Sequence, residues 1–350
     1  MNVTSTGVSA WADASSTYTY SQTIGPNDAP SNNARWEMGS GQIGTITNSL
    51  TISPEYFDQD YLQASYSVTG GGSGYPSPQF NFDSFGNSSS VALQTSPEGY
   101  WIDSGSSWSV SPKTLNGSSS PLERWSASNS SSFSGIANSS NPVIDPNYVH
   151  QYFVNFTVNT PLGGSVQNES GWYGANQSIP ISATAQNGWK LFGWSGGGQV
   201  TNSTGSELLL LNGPANETAV FYAPIVLSAS ANGQISYSTN ATSGMVGAGS
   251  SETIFVAPGT SISLSATSSS MLYSFGGWSI SGNNASSSSP SFTVDISGPA
   301  SVGASFSLSF TIIALLACAS IAVVATVGIL VSRGGKAKEF LESSAHNWKW

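Results

Sequence analysis

The sequence predicts an all-β chain of tandem small domains, followed by one C-terminal transmembrane α-helix. Three features predict this fold class: short alternating segments, two kinds of internal repeat and one long uncharged apolar run near the C-terminus. Charged residues make up only 7% of the 350 residues, whereas aromatic residues reach 11% and include eleven Trp. Disordered low-complexity chains lack such aromatic content, so we expect packed domains despite the abundance of Ser and Gly.

Strands are predicted throughout the region before residue 308. Residues 152–158 and 261–267 alternate between apolar and polar side chains, and Gly, Asn, Pro and Ser interrupt such segments about every eight to twelve residues. No segment in this region sustains a helical period. The only cysteine, Cys318, lies inside the apolar run, so the β-domains have no disulfide, cysteine-ligated metal or thiol nucleophile.

The first kind of repeat has a period of about 90 residues. Three pairs of segments define it: 11–16 with 101–106, Arg35-Trp36 with Arg124-Trp125, and 52–56 with 144–148, after which Gln59 matches Gln151. They divide the chain into a partial first domain, 1–57, and a complete second domain, 58–148. Residue 1 then aligns with about residue 91, so we expect the natural N-terminus and its export signal to lie further upstream.

The second kind of repeat contains a Gly-Trp-Ser triplet. Residues 181–184 and 192–197 recur as 264–267 and 276–279, and each copy closes with a further predicted strand. They define a third domain, 149–224, and a fourth domain, 225–306. Since Gly permits a tight turn and indole covers the end of a small core, Trp194 and Trp278 are predicted to be core anchors. Exposed platforms for sugar stacking are the alternative.

The third domain resembles the divergent internalin-type B-repeat, a small extracellular β-module found in tandem on bacterial and archaeal surface proteins. The resemblance rests on five segments in order: Gly163-Gly164-Ser165-Val166, Gly171-Trp172-Tyr173, 181–185, 188–196 and Ala219-Val220-Phe221. The fourth domain matches more loosely. The resemblance implies compact β-grasp-like or sandwich-like domains with a spacer or adhesive role. The first two domains look similar to repeats of archaeal cell-surface proteins, including those appended to thermopsin-like proteases.

A transmembrane helix is predicted over 308–331 because residues 310–331 contain no charge. At about 1.5 Å per residue this run spans roughly 33 Å, enough to cross a hydrocarbon core of about 30 Å. Arg333, Lys336 and Lys338 follow closely, at the position where basic residues hold a segment on the cytoplasmic side. We therefore expect a lipid bilayer as partner, an N-terminal region outside the cell and a cytoplasmic tail over 332–350.

Sequons agree with an outside location. Twelve Asn-x-Ser/Thr sites precede the apolar run and none follows it, whereas chance predicts about six in so Ser-rich a chain. The candidate glycosylation sites are Asn2, Asn87, Asn116, Asn129, Asn138, Asn155, Asn168, Asn176, Asn202, Asn216, Asn240 and Asn284.

Catalytic and metal-binding patterns are nearly absent. His150 is the only histidine before the apolar run, and a Ser-His-Asp site would need Asp145 beside it; we expect a structural role, since Asp58 occupies the matching position of the repeat. Asp58 and Asp60 lack the remaining ligands of a calcium loop. Residues 1–309 hold sixteen acidic and four basic residues, which excludes an electrostatic nucleic-acid site. No catalytic residue, cofactor or metal is predicted.

The leading interpretation is a membrane-anchored extracellular repeat protein, a structural or adhesive stalk or envelope component without catalytic activity. Its partners would be envelope polymers, glycans or other surface proteins. One alternative is the C-terminal anchor of a longer secreted hydrolase, in a thermopsin-like context. The other is a carbohydrate-binding surface module, for which four further aromatic residues would supply stacking platforms: Tyr100, Trp101, Trp108 and Trp125.

Overall fold

A computed structural model describes residues 6–24, 33–41, 43–128, 132–138, 140, 143–200, 206–282 and 287–345. Side chains are described for these residues except 199–200 and those after 333. Within these ranges the chain forms 29 β-strands and one α-helix. The predicted fold class is confirmed: the chain is mostly β, and its C-terminal helix is long and apolar enough to span a membrane.

The first two domains contain the strands up to residue 144. They are β1 (Thr17–Thr19), β2 (Thr23–Ile24), β3 (Ala34–Met38), β4 (Ile43–Thr45), β5 (Tyr56–Ala64), β6 (Ser67–Thr69), β7 (Gln79–Ser84), β8 (Asn87–Ala92), β9 (Glu98–Asp103), β10 (Ser107–Ser111), β11 (Thr114–Asn116), β12 (Glu123–Ala127), β13 (Ser134–Ile136) and β14 (Val143–Ile144).

The remaining strands and the helix follow. They are β15 (Asn147–Val158), β16 (Gly164–Val166), β17 (Gly171–Gly174), β18 (Ser178–Ala185), β19 (Lys190–Gly196), β20 (Gln199–Val200), β21 (Ser206–Leu210), β22 (Ala215–Ala229), β23 (Gly233–Ser238), β24 (Ser243–Val246), β25 (Ser251–Val256), β26 (Thr260–Ser268), β27 (Tyr273–Ser281), β28 (Ser291–Ile296), β29 (Ala300–Leu308) and α1 (Phe310–Ala345).

Consecutive domains share a strand. The predicted boundaries at 57, 148 and 224 fall inside β5, β15 and β22, and each of these strands pairs with strands on both sides of its boundary. Strand β15 pairs antiparallel with β12 of the second domain and with β17 of the third domain. Strand β22 does the same with β19 and β25. The chain therefore crosses each boundary as hydrogen-bonded strand.

The shared strands also pair with one another in parallel. Segment 143–149, which contains β14 and the start of β15, lies beside segment 63–69 at a constant offset of 80 residues. Strand β15 then pairs in parallel with β22, and β22 pairs in parallel with β29. We call this succession of β5–β6, β14–β15, β22 and β29 the spine. The spine joins the second, third and fourth domains by backbone hydrogen bonds.

The third and fourth domains have the same topology. In the third domain, a sheet of order β17-β15-β22-β19 faces a sheet of order β16-β18-β21-β20. In the fourth domain, the orders are β25-β22-β29-β27 and β24-β23-β26-β28. Each domain is thus a small two-sheet sandwich. One core of buried residues runs through the boundary between them, from Trp189 and Phe221 to Ile235 and Val302.

The Gly-Trp-Ser triplets form matching β-bulges. The pairing register of β19 with β22 shifts between Leu191 and Gly193, and that of β27 with β29 shifts between Phe275 and Gly277. Gly277 has a φ of 142°, a conformation that favours glycine. The bulge explains why the same triplet recurs in sequence at equivalent positions.

The helix follows the fourth domain without a linker. Helix α1 begins at Phe310, two residues after its predicted start, because β29 stays paired with β27 as far as Leu308. Its segment Phe310–Arg333 is long and apolar enough to span a membrane, and its apolar side chains are not buried against the β-domains. The helix continues beyond the predicted end at 331 to Ala345.

Candidate functional site

The joint between the second and third domains is built around Arg124. This residue lies on β12 opposite Gln151 of the shared strand, and its Nε donates a hydrogen bond of 2.8 Å to Gln151 Oε1. Its guanidinium also lies 4.2 Å from the ring centroid of Trp172, which belongs to β17 of the third domain. Burial lowers the pKa of Arg124, so the charge is partly desolvated where it meets the indole face. One side chain therefore ties two domains together.

The joint between the first and second domains repeats this arrangement. Arg35 lies opposite Gln59, and its Nε and one of its terminal nitrogens donate hydrogen bonds of 3.1 and 2.9 Å to Gln59 Oε1. Its guanidinium lies 4.4 Å from the ring centroid of Trp101, on β9 of the second domain. Gln59 is fully buried and donates in turn to Asp103 Oδ1 at 3.1 Å. Burial lowers the pKa of Arg35, while the charge of Glu37 opposes that shift.

The joint between the third and fourth domains has the same geometry with different residues. Lys190 lies opposite Tyr222 of the shared strand β22, and Phe255 of the next domain lies opposite Pro224. The Lys190 Nζ is 5.6 Å from the Phe255 ring centroid. In all three joints, the cation lies opposite one shared-strand residue and the aromatic ring lies opposite the residue two positions later. Sequence comparison missed this joint because no residue type is kept from the other two.

His150 is a buried structural residue of the shared strand β15, at the joint between the second and third domains. It is 3% exposed and stacks on Trp125 with 4.3 Å between ring centroids. Its Nε2 lies 2.8 Å from Glu123 Oε1, whereas Asp145 accepts a hydrogen bond from Ser65. The His150–Asp145 pair considered for catalysis is therefore not formed. Gly72 lies so close that a Cβ there would be 2.7 Å from the imidazole.

Two of the four candidate stacking platforms are buried. Trp125 is fully buried and donates from Nε1 to the Gly71 carbonyl at 2.9 Å, and Trp108 is 7% exposed. Tyr100 and Trp101 are half-buried, but Trp101 carries the Arg35 guanidinium on its face. The hydroxyl of Tyr100 donates to Glu98, and burial with this contact raises the Tyr100 pKa to about 12.

A trough of about 780 Å³ lies on the outer face of the sheet β13-β10-β7-β8. Pairing registers place Ser134, Ser109, Asn81 and Ser90 in one row across the four strands. Asp83 is the only charged residue of the lining. The lining thus combines hydroxyl, amide and carboxylate groups with the apolar side chains of Trp108 and Ile136. Its polar groups can form hydrogen bonds with a polar ligand.

Acidic residues do not assemble into a metal site in the described part of the chain, where no group of three or more His, Cys, Asp or Glu side chains is placed to hold an ion.

Two acidic residues have raised pKa values. Burial is the larger cause for Asp58, and the charge of Asp60 raises the Asp58 pKa further. Glu217 is fully buried in the third domain, and one of its oxygens accepts a 2.7 Å hydrogen bond from Gly198 N–H. Burial raises the pKa of Glu217, and its other oxygen has no hydrogen-bond partner.

Eight of the twelve sequons lie in described regions. Asn87, Asn116, Asn176, Asn216 and Asn240 are exposed, whereas Asn138, Asn155 and Asn168 are half-buried. The Asn168 amide donates to the Pro180 carbonyl and its oxygen accepts from Ser182 N–H. A glycan attached to the Asn168 amide nitrogen would interfere with the hydrogen bond to the Pro180 carbonyl. Asn2, Asn129, Asn202 and Asn284 lie outside the described residues.

The other predicted site residues lie as follows. Trp194 and Trp278 are half-buried and pack against the core shared by the third and fourth domains. The Trp278 Nε1 donates to the Ser289 carbonyl at 2.9 Å. Arg333 is exposed at the end of the span, and the side chains of Lys336 and Lys338 lie outside the described part.

Comparison with known families identifies the last two domains. A sequence model described as the divergent InlB B-repeat domain matches residues 154–224 and 227–309. The model thus matches two consecutive segments of this chain. The matched segments coincide with the two sandwiches of equal topology, so these B-repeats are sandwiches that share strand β22. No curated protein matches this chain.

Solved structures of three bacterial proteins show partial likeness to this chain. The pilus adhesin SpaC of Lactobacillus rhamnosus GG matches 78% of this chain at 9% identity and a TM-score of 0.28. The Bacillus anthracis TIE protein matches 77% at 9% identity and a TM-score of 0.22. The major pilin T-13 of Streptococcus pyogenes matches 70% at 8% identity and a TM-score of 0.17. This chain spans 47% of the length of SpaC, 56% of TIE and 96% of the pilin.

Proposed function

We propose that this protein is a membrane-anchored extracellular stalk, a non-catalytic repeat protein that holds a binding surface away from the cell membrane. The observation that carries the proposal is the spine. Because β15 and β22 each end one domain and begin the next, bending at a joint requires breaking backbone hydrogen bonds on both sides of the boundary. Tandem domains joined by flexible linkers have no such constraint.

The spine also sets the length of the stalk. Between successive parallel ladders the spine advances from Val143 in β14 to Val154 in β15, and from Ala215 to Ile225 along β22. At about 3.3 Å per residue this is about 35 Å per domain. The second, third and fourth domains would then extend about 105 Å from the bilayer.

The anchor and its orientation complete the proposal. Helix α1 supplies a single span, and the basic residues Arg333, Lys336 and Lys338 after it favour a cytoplasmic tail. Exposed sequons on the β-domains fit a glycosylated outer surface. At the far end, the partners would be envelope polymers, glycans or other surface proteins.

Electron microscopy of the full chain in lipid nanodiscs tests the stalk. We expect particles with one straight density of about 105 Å above the disc. A matched variant with a flexible Gly-Ser insertion between Ala223 and Pro224 would interrupt β22 and should show a broad range of angles at that joint. If the natural chain shows the same range of angles as the insertion variant, the rigid-stalk proposal is wrong.

A second function, binding of a neutral polysaccharide, is favoured by the trough on the second domain. Its serine, asparagine and aspartate side chains offer donors and acceptors, and Asp83 is the only charged group among them. A glycan array with the full chain tests it, with Asn81→Ala as the disrupting variant and Ser261→Ala, on the outer face of the fourth domain, as control. Equal glycan binding by both variants would exclude the trough as the site.

A further inference from the structure

An apolar tip protrudes from the fourth domain where the chain leaves it. The turn before β27 exposes Met271 by 85% and Leu272 by 42%, and Leu308 at the end of β29 is 49% exposed. Tyr273 pairs directly with Leu308, so the turn and the strand end lie side by side. Large exposed apolar side chains that cluster in this way mark an interaction surface.

This tip is continuous with the start of the helix. The backbone N–H of Ser309 donates a 2.8 Å hydrogen bond to the Leu272 carbonyl, and Phe310, which is 84% exposed, opens α1 immediately afterwards. Met271 therefore lies next to the point where the chain enters the apolar span. A linker would allow the domain to move away from the bilayer, but none separates β29 from α1.

The end of the fourth domain that carries the tip has no charged residue close to it. Between 225 and 332 the only charged residues are Glu252 and Asp295. Glu252 and Val302 both pair with Leu227, so Glu252 lies level with Val302 in the sheet. Val302 precedes Leu308 by six residues, which places Glu252 about 20 Å from the tip. Asp295 pairs with Ser261 near the opposite end of the domain. Approach of the tip to a lipid surface would thus bury no charge.

We propose that the tip formed by Met271, Leu272, Tyr273 and Leu308 inserts into the interfacial layer of the membrane that α1 spans. This inference rests on the proposed membrane anchor and adds a second contact beside it. Apolar and aromatic side chains partition into this layer, where tyrosine keeps its hydroxyl at the level of the head groups. A helix alone leaves the domain free to tilt and rotate about one point. A second contact fixes the direction in which the stalk leaves the bilayer.

Fluorescence of the full chain in nanodiscs of dioleoylphosphatidylcholine tests the insertion. In a Cys318→Ser background, Met271→Cys carries an NBD label, and Ser297→Cys carries the same label as control. Ser297 is exposed just before β29, at the end of that strand opposite to Leu308. We expect a blue-shifted emission at 271, and quenching by shallow doxyl-labelled phosphatidylcholine at least twofold stronger than at 297. Equal emission and equal quenching at both positions would overturn the proposal.

The native cysteine separates this result from the anchor itself. Cys318 lies within the predicted span, and NBD attached to it in the otherwise natural chain should be quenched by deep doxyl-labelled lipid. Quenching at Cys318 without quenching at 271 would overturn the docking of the tip but leave the anchor intact. Absence of quenching at Cys318 would overturn both.

Discussion

The contact of Arg124 with Trp172 should couple the second and third domains measurably. At a half-buried site, a guanidinium 4.2 Å from an indole centroid contributes about 1 kcal/mol, and its 2.8 Å bond to Gln151 contributes about another 1 kcal/mol. The bond to Gln151 joins β12 to β15 and stays intact when β17 separates, so only the contact with Trp172 is lost on opening. Arg124→Ala should therefore lower the free energy of opening the β15–β17 ladder by about 1 kcal/mol, roughly a fivefold change in the opening equilibrium. In a double-mutant cycle with Trp172→Ala, about 1 kcal/mol should appear as coupling energy.

Hydrogen exchange of the full chain in detergent micelles measures this local opening. Peptides covering β15 and β17 should exchange faster in both single variants. The double variant should exchange more slowly than two independent effects predict. Lys113→Ala removes an exposed cation from the same domain and should leave these peptides unchanged. A coupling energy below about 0.3 kcal/mol, the usual limit of additivity, would refute the reasoning that the cation bridges the domains.

Three further substitutions have expected outcomes. Burial raises the pKa of Glu217, so the contribution of Glu217 to stability is present below its ordinary pKa near 4.5 and is lost as pH rises through the pKa of the folded state. Glu217→Gln should therefore have the same apparent Tm as the natural chain in acid and a higher apparent Tm at pH 7. A Cβ at Gly196 would be 2.1 Å from a backbone carbonyl of the paired strand, so Gly196→Ala should cost about 2–3 kcal/mol in thermal unfolding, whereas Gly197→Ala meets no atom within 4 Å and should cost less. Gly72→Ala should lower the apparent Tm more than Gly71→Ala, since both have positive φ but only Gly72 faces the imidazole.

The helix and the β class were predictable from sequence because each depends on a local pattern. An uncharged run of 22 residues has few alternatives to a membrane span, and strict alternation over 261–267 matches a strand with one buried face. The 90-residue repeat was also visible. Its matching Arg and Gln residues turn out to be cross-strand partners in both joints, so the repeat preserves a contact.

The joints themselves were not predictable because they depend on registers between distant strands. Trp101 and Trp172 have no matching sequence context, yet each lies beside the same shared-strand position and receives an arginine. Lys190 gave no signal, since its role follows from its place opposite Tyr222 and not from a motif. Burial was equally hidden: composition cannot distinguish the buried Trp125 from the half-buried Trp101.

A chain with so few charges and no disulfide in its β-domains must gain its stability from backbone ladders and apolar packing. The spine uses both, because β22 contributes parallel and antiparallel ladders while its inward residues, from Ala219 to Ala229, belong to one core that crosses the domain boundary. Neither B-repeat has a complete set of sheet strands without this shared segment. We therefore expect the two repeats to unfold as one cooperative unit, in contrast to tandem domains that are stable alone. Single-molecule stretching of the full chain would then show one combined release of length for residues 154–309, and two separate releases would contradict the shared-strand account.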